Sequence, residues 1–164
     1  MTPSTDERLA SIVRALSEVI LPHLPDDASL AQEQAQLAIG QLQIIQMQLD
    51  NVLAFEREEL EDAKAIGQAL AAALSGGNAS TATLSVLQGS IDGADGSDVR
   101  GQTKAIKEAI DKLVPAISKD GADGSKSAMT EIILKYEKVR TQKDRLWFMP
   151  FGFDNPETVG PVTL

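Results

Sequence analysis

The residues of this chain best suited to chemistry are carboxylates, and their spacing decides what they can do. Asp92 to Ser97 and Asp120 to Ser125 both read Asp-Gly-Ala-Asp-Gly-Ser, 28 residues apart. Aspartates three apart among glycines suggest a calcium loop. An EF-hand loop needs oxygen ligands at alternating positions and a bidentate glutamate at the twelfth. Neither segment has an aspartate at positions three and five, and the twelfth residue is Thr103 in the first and Glu131 in the second. Both segments therefore read as helix junctions, a glycine ending one helix and an Asp or Ser capping the next. Gly121 to Ser127 has the Gly, Lys and Ser content of a phosphate loop. It lacks the glycine directly before Lys126 and any apolar strand before the loop, so the backbone cradle for phosphates does not form.

The densest acidic run is Glu56, Glu58, Glu59, Glu61 and Asp62. Glu56 and Glu59 are the metal-ligand candidates, because carboxylates on a bundle seam can hold a di-metal centre. Di-iron bundles also place Glu-x-x-His on two helices, and the single histidine, His23, sits between Pro22 and Pro25 with no glutamate three residues before it. The plainer readings are a solvated kink for the glutamates and, for His23, a ring near the last carbonyls of the first helix. The absence of cysteine removes disulfides, thiolate metal sites and cysteine nucleophiles. No catalytic residue is assigned and no cofactor is implied.

Lys135, Lys138, Arg140, Lys143 and Arg145 could contact nucleic acid or an anionic membrane. Glu137 and Asp144 interrupt them, and the whole chain carries 24 acidic against 15 basic side chains, a net charge of −9, the wrong sign for such partners. Charge is also segregated. Residues 26 to 75 hold nine acids and two bases, whereas residues 100 to 145 hold eleven bases and seven acids. Packing the basic C-terminal helices beside the acidic middle helix offsets both fields. Trp147, Phe148, Phe151 and Phe153 are four of the six aromatics, gathered around Pro150. Aromatics bury much apolar area at little entropy cost, so these four are the interaction candidates, as an internal plug or as a contact with another chain.

These groups need elements to hold them. With 164 residues and 43% apolar side chains, the chain is long enough for one domain that buries roughly 69% of its unfolded surface. No run of apolar residues reaches the length of a membrane span, and the start lacks the pattern of a secretory signal, so a soluble cytoplasmic protein is expected. Ser4 and Glu7 form a capping-box pattern ahead of Leu9, Ile12, Val13, Leu16, Val19 and Ile20, which predicts a helix from about 5 to 21, ended by Pro22. A second capping-box pattern, Ser29 with Gln32, opens a helical stretch reaching Ser75. Its seam is Ala31, Ala35, Ala38, Leu42, Ile45, Leu49 and Val52.

One helix from 29 to 75 would be about 70 Å long, against a radius of gyration of about 15 Å for a compact domain of this size. Glu56 and Glu59 fall on the seam, where unpaired carboxylates are costly, so a break or strong kink near 55 to 59 is expected, the alternative being a continuous helix that projects as a dimerisation arm. Asn78-Ala79-Ser80 reads as a turn, and Leu84, Val86, Leu87 and Ile91 as a short helix. Asp98 or Ser97 caps a further helix that Pro115 kinks or ends, and the last helix starts near Ser125 to Ser127.

The order Val19-Ile20-Leu21-Pro22-x-Leu24, a polar corner, an alanine- and leucine-rich helix from Ala35 to Leu49 and an acidic restart at Glu56 to Glu61 resembles an uncharacterised bacterial family of small helical proteins. Its members are often encoded beside aminoglycoside-phosphotransferase-like kinases and acyl-CoA dehydrogenases. The resemblance spans roughly the first 75 residues and implies no catalytic motif. The sequence thus predicts an all-α, up-and-down bundle of four or five helices over 1 to 150. An extended tail over 151 to 164 packs on the bundle or on a partner. The function expected is a non-catalytic interaction or accessory protein, a homo-oligomer or bound to a protein partner, without nucleic acid or membrane. The alternatives are a carboxylate-based metal-binding or enzymatic bundle and, third, binding of nucleic acid or an anionic membrane through the basic final helix.

Overall fold

A computed structural model describes residues 3–149, so the tail from 151 to 164 lies outside the described residues. Regular structure among them is helical, with six α-helices rather than four or five. The extra helices arise because the 29 to 75 stretch divides and because 76 to 98 supplies a full-length helix. No helix of the described residues is long and apolar enough to cross a membrane. The chain divides into two compact units, Met1–Leu53 and Ala54–Leu164.

In the first unit, α1 (Thr5–Arg14) opens on the expected capping box: the Glu7 amide donates to Ser4 Oγ at 3.1 Å and the Ser4 amide to Glu7 Oε2 at 2.6 Å. The helix widens into a π-helical segment over Ala15–Ile20 and tightens to a 3₁₀ turn over Leu21–His23. His23 Nδ1 donates to the Val19 carbonyl at 2.7 Å, which satisfies one of the carbonyls a helix end orphans. The second helix, α2 (Ser29–Gln48), has Ala28 at its N-cap and no side-chain cap. Gln32, expected to close a capping box, instead donates to the Pro25 carbonyl at 2.9 Å. Gln46 Nε2 donates to Asp6 Oδ1 at 2.7 Å, so the end of α2 lies beside the start of α1 and the pair is an antiparallel hairpin.

The break in the long helical stretch falls at Leu49 to Asn51, between α2 and α3 (Val52–Ala73), and α3 runs uninterrupted through 55 to 59. The expected cost of seam carboxylates is removed because basic side chains of later helices pair with them. Asp50 and Asn51 are turn formers through their own backbone hydrogen bonds, and that local chemistry sets the break.

The second unit is a four-helix, up-and-down bundle of α3, α4 (Asn78–Asp92), α5 (Val99–Asp120) and α6 (Ser125–Phe148). Its core is Leu60, Ala63, Leu70, Leu74, Leu87, Ile91, Ile106, Ala109, Leu113, Ile117 and Met129, all buried. α3 meets α4 closely because Gly67 leaves room: a Cβ there would stand 2.8 Å from Ile91 Cδ1. Asn78-Ala79-Ser80 is not a turn but the first turn of α4, with Ser80 fully buried. Asp98 caps α5 by accepting from the Gly101 amide at 3.0 Å. Pro115 neither ends nor breaks α5, which continues to Asp120. It lies on the exposed face beside exposed Asp111, so the Asp111 carbonyl it leaves without a donor can bond water.

The repeated hexapeptide makes both later junctions. Gly93 ends α4 and Gly121 ends α5, while Gly96 and Gly124 adopt left-handed φ of +83° and +82°, a conformation that favours glycine. Beyond this shared backbone the two copies differ. In the first, Asp95 Oδ1 accepts locally from the Ser97 amide at 2.9 Å and Gln102 Nε2 at 2.7 Å. The Ser97 hydroxyl first, then the Ser97 amide and the Gln102 side chain, hold its carboxyl at about 2, down from the ordinary 3.8. In the second, Asp120 reaches back to the start of α4. It accepts from Ser80 Oγ and from the Ala79 and Ser80 amides at 2.8 and 3.0 Å. The Ser80 hydroxyl first, and then the Ala79 amide, lower its carboxyl below the ordinary value.

Candidate interaction surfaces

Two surfaces of the molecule could meet another molecule, one in each unit. The first is a groove of about 610 Å³ in the second unit, between α3, α5 and α6. Its floor is apolar, formed by residues such as Phe55, Ile66, Ile110, Ile133 and Val139. The antiparallel run of α6 along α3 brings the acidic cluster of α3 to the basic residues of α6, as the charge segregation predicts. Glu59 Oε1 accepts from Arg140 Nη2 at 2.9 Å and Lys107 Nζ at 3.3 Å. Lys143 Nζ lies 2.7 Å from both Glu58 Oε1 and Asp62 Oδ2. Burial pulls the Lys143 ammonium down, but the hydrogen bonds and charges of Asp62 and Glu58 outweigh it and hold the group above its ordinary value.

Of the metal-ligand candidates, Glu56 accepts from Arg100 Nε at 2.6 Å, and Glu59 holds the two cations just described. Among the described residues no three or more His, Asp or Glu side chains gather in a metal-binding arrangement. Arg140 and Lys143 of the basic final helix are engaged by acids of the same unit. Of the aromatic candidates, Trp147 stacks on the groove residue Phe55, ring centroids 4.3 Å apart and planes 18° from parallel. Phe148 is exposed. Phe151 and Phe153 lie outside the described residues.

The second surface is in the hairpin, where no residue of α1, α2 or the turns joining them is buried. Half-buried Ala35, Ile39, Leu42 and Leu49 form the inward edge of α2. The expected seam is therefore rotated: Ala31, Ala38 and Ile45, placed inside by their spacing, are exposed. Leu30, Leu37 and Ile45 are 69%, 54% and 47% exposed. At 100° per residue these three, with Gln34, Ala38, Gln41 and half-buried Gln48, share an arc of about 100°. This outward face contains no charged residue. Glu33 is the only charge in the 20 residues of α2, and it falls outside the arc. The seven-residue step from Leu30 to Leu37 is the sequence signal for this face, obscured by a better-populated alanine seam on the same helix.

No protein-family model matches the chain, and no curated protein or solved structure is similar enough to match it.

Proposed function

We propose that this protein is a non-catalytic interaction protein that binds another polypeptide through its N-terminal hairpin. The observation that carries the reading is the hairpin's surface: eight large apolar side chains of residues 3 to 53 are exposed and none is buried. Monomeric proteins seldom leave contiguous apolar faces in water, and such faces mark contacts with other proteins or membranes. A membrane-surface helix is rich in Lys and Arg on its polar face, whereas α2 has neither. The acidic cluster of the second unit supports the same reading, since its carboxylates accept from Arg100, Lys107, Arg140 and Lys143, an arrangement that stabilises a bundle.

The test is photo-crosslinking in cells with a photoreactive residue in place of Leu37 or, separately, Leu30. The expected result is a discrete adduct with a polypeptide at both positions and none from Val86, an equally exposed residue of α4. Absence of adducts at both hairpin positions overturns the reading.

A further inference from the structure

We infer that Asp123 is a site of spontaneous covalent modification, converting to isoaspartate at its bond to Gly124, while the fold holds the three other Asp-Gly pairs of the chain unreactive. The site is separate from the α2 face and does not depend on the interaction reading.

The chemistry needs two neighbouring groups and water. The glycine amide nitrogen attacks Cγ of the preceding aspartic acid in its neutral form. An N–Cγ bond forms, the Cγ–OH bond breaks, and the hydroxyl leaves with the amide proton as water. A water molecule then opens the five-membered imide. Attack at Cγ restores aspartate, whereas attack at the main-chain carbonyl breaks its bond to the glycine nitrogen and leaves the chain running through Cβ. Glycine is the favoured follower because it has no side chain to obstruct the ring. An amide or carboxyl held in a hydrogen bond must first give that bond up.

The Asp-Gly pairs are Asp92-Gly93, Asp95-Gly96, Asp120-Gly121 and Asp123-Gly124. In three of them both reacting groups are engaged. Asp92 Oδ1 accepts from Gln88 Nε2 at 2.8 Å, and the Gly93 amide donates to the Gly89 carbonyl at 3.1 Å. Asp120 is clasped to the start of α4, and the Gly121 amide donates to the Ile117 carbonyl at 3.0 Å. Asp95 accepts from Ser97 and Gln102, and the Gly96 amide donates to Gln102 Oε1 at 2.8 Å. The low Asp95 value, about 2, also makes its reactive neutral form scarce near neutral pH. Asp123 and Gly124 are both exposed. Among the described residues the Asp123 carboxyl has no hydrogen-bond or ion-pair partner, and the Gly124 amide donates to no protein group.

The repeat supplies an internal comparison. Asp95-Gly96 and Asp123-Gly124 both lie in Ala-Asp-Gly-Ser, and both glycines take the same left-handed φ, so what separates them is hydrogen bonding. The product keeps its charge but adds one backbone carbon between Ala122 and Ser125. There the Ser125 amide closes the turn onto the Ala122 carbonyl at 3.0 Å, and Ser125 Oγ donates to the Ser75 carbonyl at 3.0 Å. The modification thus falls on the joint that ties the start of α6 to the chain just beyond α3.

Incubation of the purified full chain for several weeks in mildly acidic buffer at body temperature provides the test. Tryptic mapping with electron-transfer fragmentation distinguishes isoaspartate from aspartate at each position. Isoaspartate at Asp123 is expected to accumulate roughly tenfold or more faster than at Asp92, Asp95 or Asp120. In the guanidinium-unfolded chain Asp95 and Asp123 are expected to react at equal rates. Gln102→Ala frees the Gly96 amide and removes a donor from Asp95, and is expected to raise the Asp95 rate about threefold or more in the folded chain.

A folded chain in which Asp95 keeps pace with Asp123 overturns the inference. So does an unmodified Asp123 under conditions where the unfolded chain reacts. The same preference for Asp123 in the unfolded chain also overturns it, because the selectivity would then belong to the sequence and not to the fold.

Discussion

The hairpin over residues 3 to 53 and the bundle over 54 to 149 use similar helix-forming residues toward different ends. In the bundle, α4 and α5 meet through a layer of Leu87, Ile91, Ile106, Leu113 and Ile117 that is closed to water. In the hairpin, the corresponding inward residues are only half-buried, because two helices cannot enclose a layer between them. The bundle also has cross-helix ion pairs and a buried serine held by Asp120, whereas among the described residues the side-chain hydrogen bond between the hairpin's helices is the exposed Gln46–Asp6 pair. The difference teaches that amphipathicity alone does not make a core. A third and fourth helix convert the same kind of seam from a sticky surface into an interior.

The contrast is sharpest for deletions of apolar side chains. Leu113→Ala removes a fully buried side chain and is expected to destabilise the bundle by about 2–5 kcal/mol. Leu37→Ala should change the stability of the dilute chain by no more than about 0.5 kcal/mol. Urea unfolding of both measures the gap, and equal losses would dissolve the distinction between the units. Next in size, Gly67→Leu forces a side chain against Ile91 and Leu87 and is expected to cost about 1–3 kcal/mol, read the same way. A neutral result would mean that α3 is held as loosely as the hairpin.

Acid separates the two units by a different lever. The carboxyls of Asp95 and Asp120 lie below their unfolded value of 3.8, so near that pH the folded chain binds fewer protons than the unfolded one. Their stabilisation is therefore complete above about pH 5 and lost as pH falls through the folded values, toward about 2 for Asp95. Asp120→Asn should lower the melting temperature of the bundle at pH 7 and flatten its decline below pH 4. Thermal unfolding followed across pH 2 to 7 reads both. The smallest expected effect is that of Glu59→Gln. It weakens two partly exposed ion pairs and should cost less than about 1 kcal/mol, an effect that shrinks in high salt.

Much of this architecture was legible because it is local. The capping box at Ser4, the Asp98 cap, the start of α6 at Ser125 and the glycine junctions follow from residues within a few positions of one another. The break at Leu49 to Asn51 was misplaced because the fate of Glu56 and Glu59 depends on Arg100, Lys107 and Arg140, more than 40 residues away. Asp50-Asn51 was the nearer signal. Pro115 survives inside α5 because it faces solvent, which periodicity alone does not say. The outward face of α2 was hidden by rotation: an alanine-rich seam and a leucine pair share one helix, and only packing against α1 decides which turns inward.

The clasp between Asp120 and the start of α4 has a topological consequence. α4 and α5 are joined through the peptide chain at Gly93 to Asp98 and, at their opposite ends, through the hydrogen bonds of Asp120 and the Gly77 amide, which donates to the Asp120 carbonyl at 2.8 Å. The pair is therefore a closed ring with one covalent seam and one noncovalent seam. Ala94 of that covalent seam is buried in the core, whereas Asp95 to Ser97 are exposed, so cutting the chain at Asp95 to Ser97 opens the ring without releasing either helix, and this is where the chain can be nicked, lengthened or re-ended while the bundle stays assembled.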